Sequence, residues 1–297
     1  MRKTTRLRQL IEDRKILVMP GAYDVLSAKL AEGAGFDAVQ ISGANVAVCH
    51  YGVPDYGIVS MAEMVEAAGR IASGIEIPAM GDADTGYGNA VNAYLTVQAF
   101  ERAGLAGVNI EDQVWPKRCG HLDGKVLLPF EEAVAKIAAA CDARRDPDFV
   151  INARTDALGV VGIEEAIRRG NAFLDAGATM IFVEGAHSIE AMRAAVEGIR
   201  GPVGVNLVEG GKSPQQMSFA ELESIGVARV SLPSTAMQAV VKTLQTVYAR
   251  LRDDGRIGGF PELLAGFGVA QKLVGSAEIF ALEEKYLGPL KRAAAQA

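Results

Sequence analysis

The chain carries little of what usually announces a function. Its 297 residues include three cysteines, three histidines and one tryptophan. Cys49, Cys119 and Cys141 are odd in number and scattered, which excludes a secreted-type disulfide framework and fits a reducing compartment. No apolar run approaches the ~20 residues of a membrane span, and the opening MRKTTRLRQLIEDRK lacks the apolar stretch of a signal peptide, so a cytoplasmic protein is expected. The net charge of −6 is mild, with acids and bases interspersed, so no electrostatic footprint for nucleic acid is present and a small-molecule partner is expected. No GxGxxG follows the first apolar run, which removes the signature of the dinucleotide-binding doubly wound sheet.

What the chain does have is apolar material, at 49% of residues, enough for one large core. Short apolar runs alternate with amphipathic stretches of helical length, the α/β pattern. The runs are ILVMPG, AVQISG, IPAMGDADT, GVNIEDQ, FVINARTDA, MIFVEG, VGVNLVEGG and ARVSLPS. Between them lie helix patterns such as NAVNAYLTVQAFERAG and GIEEAIRRGNAFLDAG, closed by the glycine that commonly ends a helix. Eight such units in about 250 residues predict a (β/α)8 barrel, with a doubly wound sheet as the alternative. No linker interrupts the series, so residues 1–297 read as one domain. Residues 235–297 would form the eighth helix and a helical C-terminal extension, apolar enough to need a surface to cover, on a neighbouring subunit.

Barrel active sites lie at the C-terminal ends of the strands, and here the runs turn polar at those ends. They close on Ser42 and Gly43, Asp82 and Asp84, Glu111 and Asp112, Arg154 and Asp156, Glu184, and Asn206 and Glu209. Strand alternation would put Asp82 and Asp84 on one face, where two like charges need relief. A cation between them is one reading, and all-oxygen donors without a histidine cluster favour Mg²⁺ or Mn²⁺ over zinc. Helix capping or pairing with Arg154 is the other; Glu111 on the next strand adds weight to the metal. After the fourth run, VWPKRCGHLDGK shows no periodicity and reads as a loop over the barrel mouth. Lys117, Arg118 and His121 surround Cys119, and nearby positive charge lowers a thiol's pKa and suits it to proton exchange. An incidental cysteine in a basic surface loop is the plainer alternative. Cys49 and Cys141 read as small buried hydrophobes.

GDADTGYGN, EDQVWPKRCGHLDGK and NARTDA, in this order and spacing, resemble the isocitrate lyase and phosphoenolpyruvate mutase superfamily over most of the chain. KRCGH is similar to its carbon–carbon lyase branch. The resemblance implies a Mg²⁺ (or Mn²⁺) site at Asp82 and Asp84, with Asp55 and Glu111 assisting through water. It implies that Ser42, Gly43 and the adjoining Ala44 hold the carboxylate of a 2-oxo acid together with Arg154. Glu184 and Asn206 would line the pocket of the departing acid. Cys119 would be the general acid, on a loop in which Lys117, Arg118, Gly120 and His121 join it. It further implies lyase action on a 2-hydroxy dicarboxylate of the 2-alkylmalate or methylisocitrate type, and a homotetramer built as a dimer of dimers with exchanged C-terminal helices. Pro233 stands where oxaloacetate-hydrolysing members carry serine, which favours the lyase over oxaloacetate hydrolysis, decarboxylation or phosphonomutase chemistry. One departure stands out: Gln40 replaces the family's tyrosine, and glutamine is no base. That substitution also leaves room for a non-catalytic carboxylate-binding barrel.

Overall fold

The computed structural model describes residues 1–120, 122, 124–214 and 216–294, with the backbone alone for 291–294. Eight parallel strands run β1 (Leu17–Ala22), β2 (Val39–Ile41), β3 (Ala79–Asp82), β4 (Gly107–Glu111), β5 (Val150–Thr155), β6 (Met180–Val183), β7 (Val203–Asn206) and β8 (Arg229–Leu232). Each pairs with the next, and β8 pairs with β1, which closes the barrel. All eight expected runs become strands, and the barrel, not the doubly wound sheet, is the fold.

Local chemistry explains the helices between them. Asp24, Ser60, Asn89 and Ser218 each cap a helix N-terminus by accepting backbone N–H groups, and each is answered by the side chain three residues on. The buried faces of these helices and the outward faces of the strands share one apolar cluster that includes Ile71, Val97, Phe100, Ile137, Phe149 and Phe173. At the opposite end from the site, helix Lys3–Glu12 places Leu7 and Ile11 in a second buried cluster with Leu17, Ala38, Ala106 and Val150 at or just before strand starts. These side chains pack under the N-terminal ends of the strands.

The chain divides into two compact units, Met1–Met237 and Gln238–Ala297, with the whole barrel in the first. The division falls inside helix Thr235–Asp254. In the second unit, Pro261–Leu290 corrects the expectation that no stretch is apolar enough for a membrane span, since its best window reaches a mean hydropathy of 1.2. It is nevertheless broken into a turn at Pro261–Leu263 and helices Phe267–Leu273 and Ser276–Ala294, with Gly275 in the left-handed region between the two helices.

Candidate active site

A cavity of about 160 Å³ opens at the C-terminal ends of the strands. Ser42, Ala44, Asp55, Asp82, Lys117, Cys119, Gly120, Arg154, Glu184, Asn206 and Pro233 all line it. Gly43, Asp84, Glu111 and Arg118 lie outside the lining, and His121 lies outside the described residues.

The acids converge in a way that strand alternation does not describe. β3 ends at Asp82, and Asp84 follows in a turn with a left-handed φ of 47°. The two meet because Asp84 N donates to Asp82 Oδ1 at 3.1 Å, while Asp82 Oδ2 accepts from Gly43 N at 3.1 Å. A Cβ on Gly43 would stand 2.7 Å from that oxygen, so only glycine allows the approach. Neither acid caps the helix that follows, Ala90–Arg102, which Asn89 caps, or pairs with Arg154. Lys117 pairs with Asp84 and Asp55, its Nζ 2.5 Å from Asp55 Oδ1 and 2.8 Å from Asp84 Oδ1. Burial pushes the Asp84 carboxyl up to about 6 against the pull of Lys117, with Asp82 and Asp55 adding to the rise. Burial alone would lower the lysine, but Asp84, Asp55 and Glu111 together hold it well above its ordinary value, so it stays charged.

Across the cavity, Arg154 on β5 gathers three carboxylates. Its Nε and Nη2 bond Asp156 at 2.9 and 3.0 Å, Nε lies 3.2 Å from Glu111, and Nη1 lies 3.5 Å from Glu184. Burial opposes its charge, yet Asp156, Glu111 and Glu184 keep the guanidinium protonated. Glu111 goes the other way: burial raises its carboxyl well above the usual range despite Arg154 and Lys117. Asn206 Nδ2 donates to Glu184 Oε2 at 3.2 Å, tying β7 to β6. Asp112, the neighbour of Glu111, bonds Thr155 Oγ1, Asp156 N and Arg169, and so fixes the end of β5 from behind.

The loop after β4 is tied at its neck and folded inward. Gln113 and Leu127 form an antiparallel bridge, Val114 N donates to Val126 O, and Leu128 N to Asp112 O. The Gln113 carboxamide clamps Arg118 from both sides, accepting from its N at 3.0 Å and donating to its carbonyl at 2.9 Å. This clamp turns neighbouring side chains to different surroundings. Lys117 and Cys119 face the cavity, whereas the Arg118 guanidinium lies 5.9 Å from the Tyr56 ring, outside the expected substrate-binding place. Gly120 follows so tightly that a Cβ would collide with the Glu184 carboxyl and Arg154. Trp115 acts as an anchor for the loop, packed on Gly57 and 5.8 Å from Tyr87.

Cys141 is buried as expected, but Cys49 is exposed, a correction that follows from its place in the π-helical turn Ala47–Tyr51. The sequence reading also passed over Asn109, Phe182 and Ser231, which line the cavity floor. Each stands two residues before a residue that was singled out, Glu111, Glu184 and Pro233, so strand alternation was the available signal. The departure at Gln40 finds a local explanation: it is buried on the same floor and bonded to Arg229, a fully buried side chain on β8.

A parallel barrel whose strand ends carry these acids, this arginine and a loop-borne thiol is that of a (β/α)8 enzyme. The family model described as phosphoenolpyruvate phosphomutase matches residues 7–252. The chain is 40% identical over 286 residues to 2,3-dimethylmalate lyase of Eubacterium barkeri, covering 96% of this chain and 99% of that one. Among solved structures, oxaloacetate acetylhydrolase in complex with the inhibitor 3,3-difluorooxalacetate matches with a TM-score of 0.90 at 32% identity, over 95% of this chain and 96% of the other. Phosphonopyruvate hydrolase in complex with oxalate and Mg²⁺ matches with a TM-score of 0.87 at 36% identity, over 97% and 100%. The chain belongs to the phosphoenolpyruvate mutase/isocitrate lyase superfamily.

The donor set is compatible with a hard divalent ion. The acids offer only oxygen, and Glu111 Oε1 is buried without a hydrogen bond. Among the described residues no three acids, histidines or cysteines close into a cage. Mg²⁺ keeps several waters and is usually held by one or two carboxylates.

Proposed function

We propose that the protein is a Mg²⁺-dependent carbon–carbon lyase that cleaves a 2-hydroxy dicarboxylate, a 2-alkylmalate before a methylisocitrate, to a 2-oxo acid such as pyruvate and a carboxylic acid. The observation that carries this reading is the shared lining of one small cavity by Cys119, Arg154, Glu184, Asn206, Asp55 and Asp82. A proton donor, a carboxylate-binding cation and a set of oxygen donors then surround a single small acid. The likeness to 2,3-dimethylmalate lyase along 96% of the chain supports the substrate class.

In this reading Arg154 and the Ser42–Gly43 segment hold the carboxylate on C2, and Glu184 and Asn206 line the place of the other fragment. Asp82 and Asp84 would hold Mg²⁺, with Asp55 and Glu111 assisting through water, and the ion supplies positive charge beside the C2 oxygen. Transfer of the hydroxyl proton to a carboxylate of the lining turns C2 into a carbonyl as the C2–C3 bond breaks, and the electrons of that bond pass to C3 and the adjoining carboxylate. Cys119 then delivers a proton to C3 while the loop keeps water out. Gln40 moves no proton; it is an amide committed to Arg229 and to the backbone.

Oxaloacetate cleavage is the second reading, favoured by the likeness to oxaloacetate acetylhydrolase and by the Ser231 and Ser234 side chains beside Pro233 in the lining. Incubating the purified protein and Mg²⁺ with 2-alkylmalates, methylisocitrate, malate and oxaloacetate separates the two. A 2-oxo acid released from a 2-alkylmalate supports the lyase. Oxalate from oxaloacetate as the sole turnover replaces it with the hydrolase, and binding without turnover leaves a carboxylate-binding barrel.

The same proposal includes a cytoplasmic homotetramer with exchanged C-terminal helices. Ile257, Phe267, Phe280 and Tyr286 support it, at 88%, 85%, 63% and 63% exposed in the single chain. Light scattering at micromolar concentration should give four times the 31.3 kDa chain mass.

A further inference from the structure

The run that carries Cys119 ends in Lys125, to which neither the sequence nor the proposed chemistry gives a role. Its side chain is 6% exposed, and its ammonium makes two strong contacts. Nζ donates to the Gly120 carbonyl at 2.7 Å and to Asp156 Oδ1 at 2.9 Å. Gly120 adjoins Cys119 and lines the cavity with it. Asp156 is fully buried, and its carboxylate is the one that grips Arg154 from both sides. A single buried cation therefore joins the backbone beside the thiol to the acid that aims the arginine. Before the thiol the loop is tied by Lys117 to Asp55 and Asp84 and by Gln113 to Arg118, and at its neck by backbone pairs on Gln113, Val114 and Leu128; after the thiol, Lys125 ties the Gly120 carbonyl to the β5 end.

We propose that Lys125 is a positioning residue: a latch that locks the inward fold of the loop onto the β5 end and so sets the thiol of Cys119 against the substrate held by Arg154. This rests on the reading of Cys119 as the general acid. A charge-assisted bond to a backbone carbonyl is a strong restraint when buried. Its loss frees the Gly120 segment while Arg154 keeps both bonds to Asp156, so the defect falls on proton delivery more than on carboxylate binding. A misplacement of about 1 Å in a reacting group costs up to about 10²-fold in rate.

The test uses the full-length chain with Lys125→Met and Lys125→Arg, the latter keeping charge and donors. Alkylation of Cys119 by iodoacetamide is followed by peptide mass spectrometry, and turnover of the accepted substrate by steady-state kinetics. In Lys125→Met, Cys119 alkylation should quicken by about 10-fold and kcat should fall by about 10- to 100-fold, with KM changed by less than about 3-fold. Lys125→Arg should recover most of both. If Lys125→Met does not fold, Lys125→Gln, which keeps a donor without charge, decides on the same readouts. Unchanged alkylation in a folded variant overturns the latch, as does faster alkylation with unchanged kcat, or a loss confined to KM. Alkylation needs no turnover, so a wild-type chain inactive on every substrate would sink the lyase reading and leave the latch to be judged by the thiol.

Discussion

Arg229 Nη2 donates a 2.5 Å hydrogen bond to Gln40 Oε1 inside the barrel, where both side chains are buried. The other end of the same amide donates to the carbonyls of Ile41 and Met80 at 3.0 and 3.1 Å. Burial brings the Arg229 guanidinium down to about 9, with Asp82 opposing. Gln40 is thus the acceptor for a cation that burial disfavours, and the position has a structural task. Gln40→Leu should strand that cation and cost about 1–3 kcal/mol. Adding Arg229→Met should recover at least half of the loss. Urea unfolding of the two single variants and the double variant measures this, and simple additivity would refute the coupling.

Replacing Cys119 by alanine removes the proposed proton donor and leaves Arg154, Ser42 and Gly43 in place. We expect kcat to fall by about 10² or more, with a smaller change in the affinity of a 2-oxo acid inhibitor. Cys141→Ala is the control, since that thiol is buried away from the cavity. Equal losses in the two variants would move the proton source elsewhere.

Dialysis against EDTA should abolish turnover, and Mg²⁺ or Mn²⁺ should restore it. Asp82→Ala should also weaken Mn²⁺ binding by about 10-fold or more, read by calorimetry without substrate. Full activity in metal-free protein would remove the ion from the scheme.

Cys141 gives the barrel an alkaline weakness. Burial raises its thiol from 9.0 to about 11, so the folded chain keeps a proton that the unfolded chain releases. Its contribution is fully present below pH 9 and is lost as the pH rises through about 11. The linkage amounts to roughly 2–3 kcal/mol. Denaturant unfolding of the wild type should show a steeper loss of stability across that window than Cys141→Ala. Equal slopes would show that other groups govern the alkaline limb.

The strands were legible because a buried parallel sheet writes each strand as a short apolar run, and the polar residue that ends it marks the site. Asp82, Arg154, Glu184 and Asn206 were singled out in this way, and all four line one cavity. Asp84 was singled out on an alternation that does not hold: it stops where β3 stops, and the acid returns to Asp82 through a left-handed turn that sequence periodicity cannot encode. Arg118 was misplaced because KRCGH reads as one basic cluster, whereas the Gln113 clamp gives successive residues different surroundings. Lys125 and Arg229 escaped notice because each is a lone basic residue in sequence, and burial beside a particular carbonyl, acid or amide gives it meaning. Cys49 was misread because AVCHY looks apolar along the chain, although the π-helical turn leaves its thiol exposed.

The loop after β4 is knotted at its neck by backbone pairs between residues 112–114 and 126–128. Backbone pairs are indifferent to the side chains strung between them, so the neck makes the intervening segment an exchangeable cartridge on a fixed mount. Reaction chemistry can then change within one barrel by rewriting a dozen or so residues, while Asp82 and Arg154 stay on strands that the rewriting does not touch.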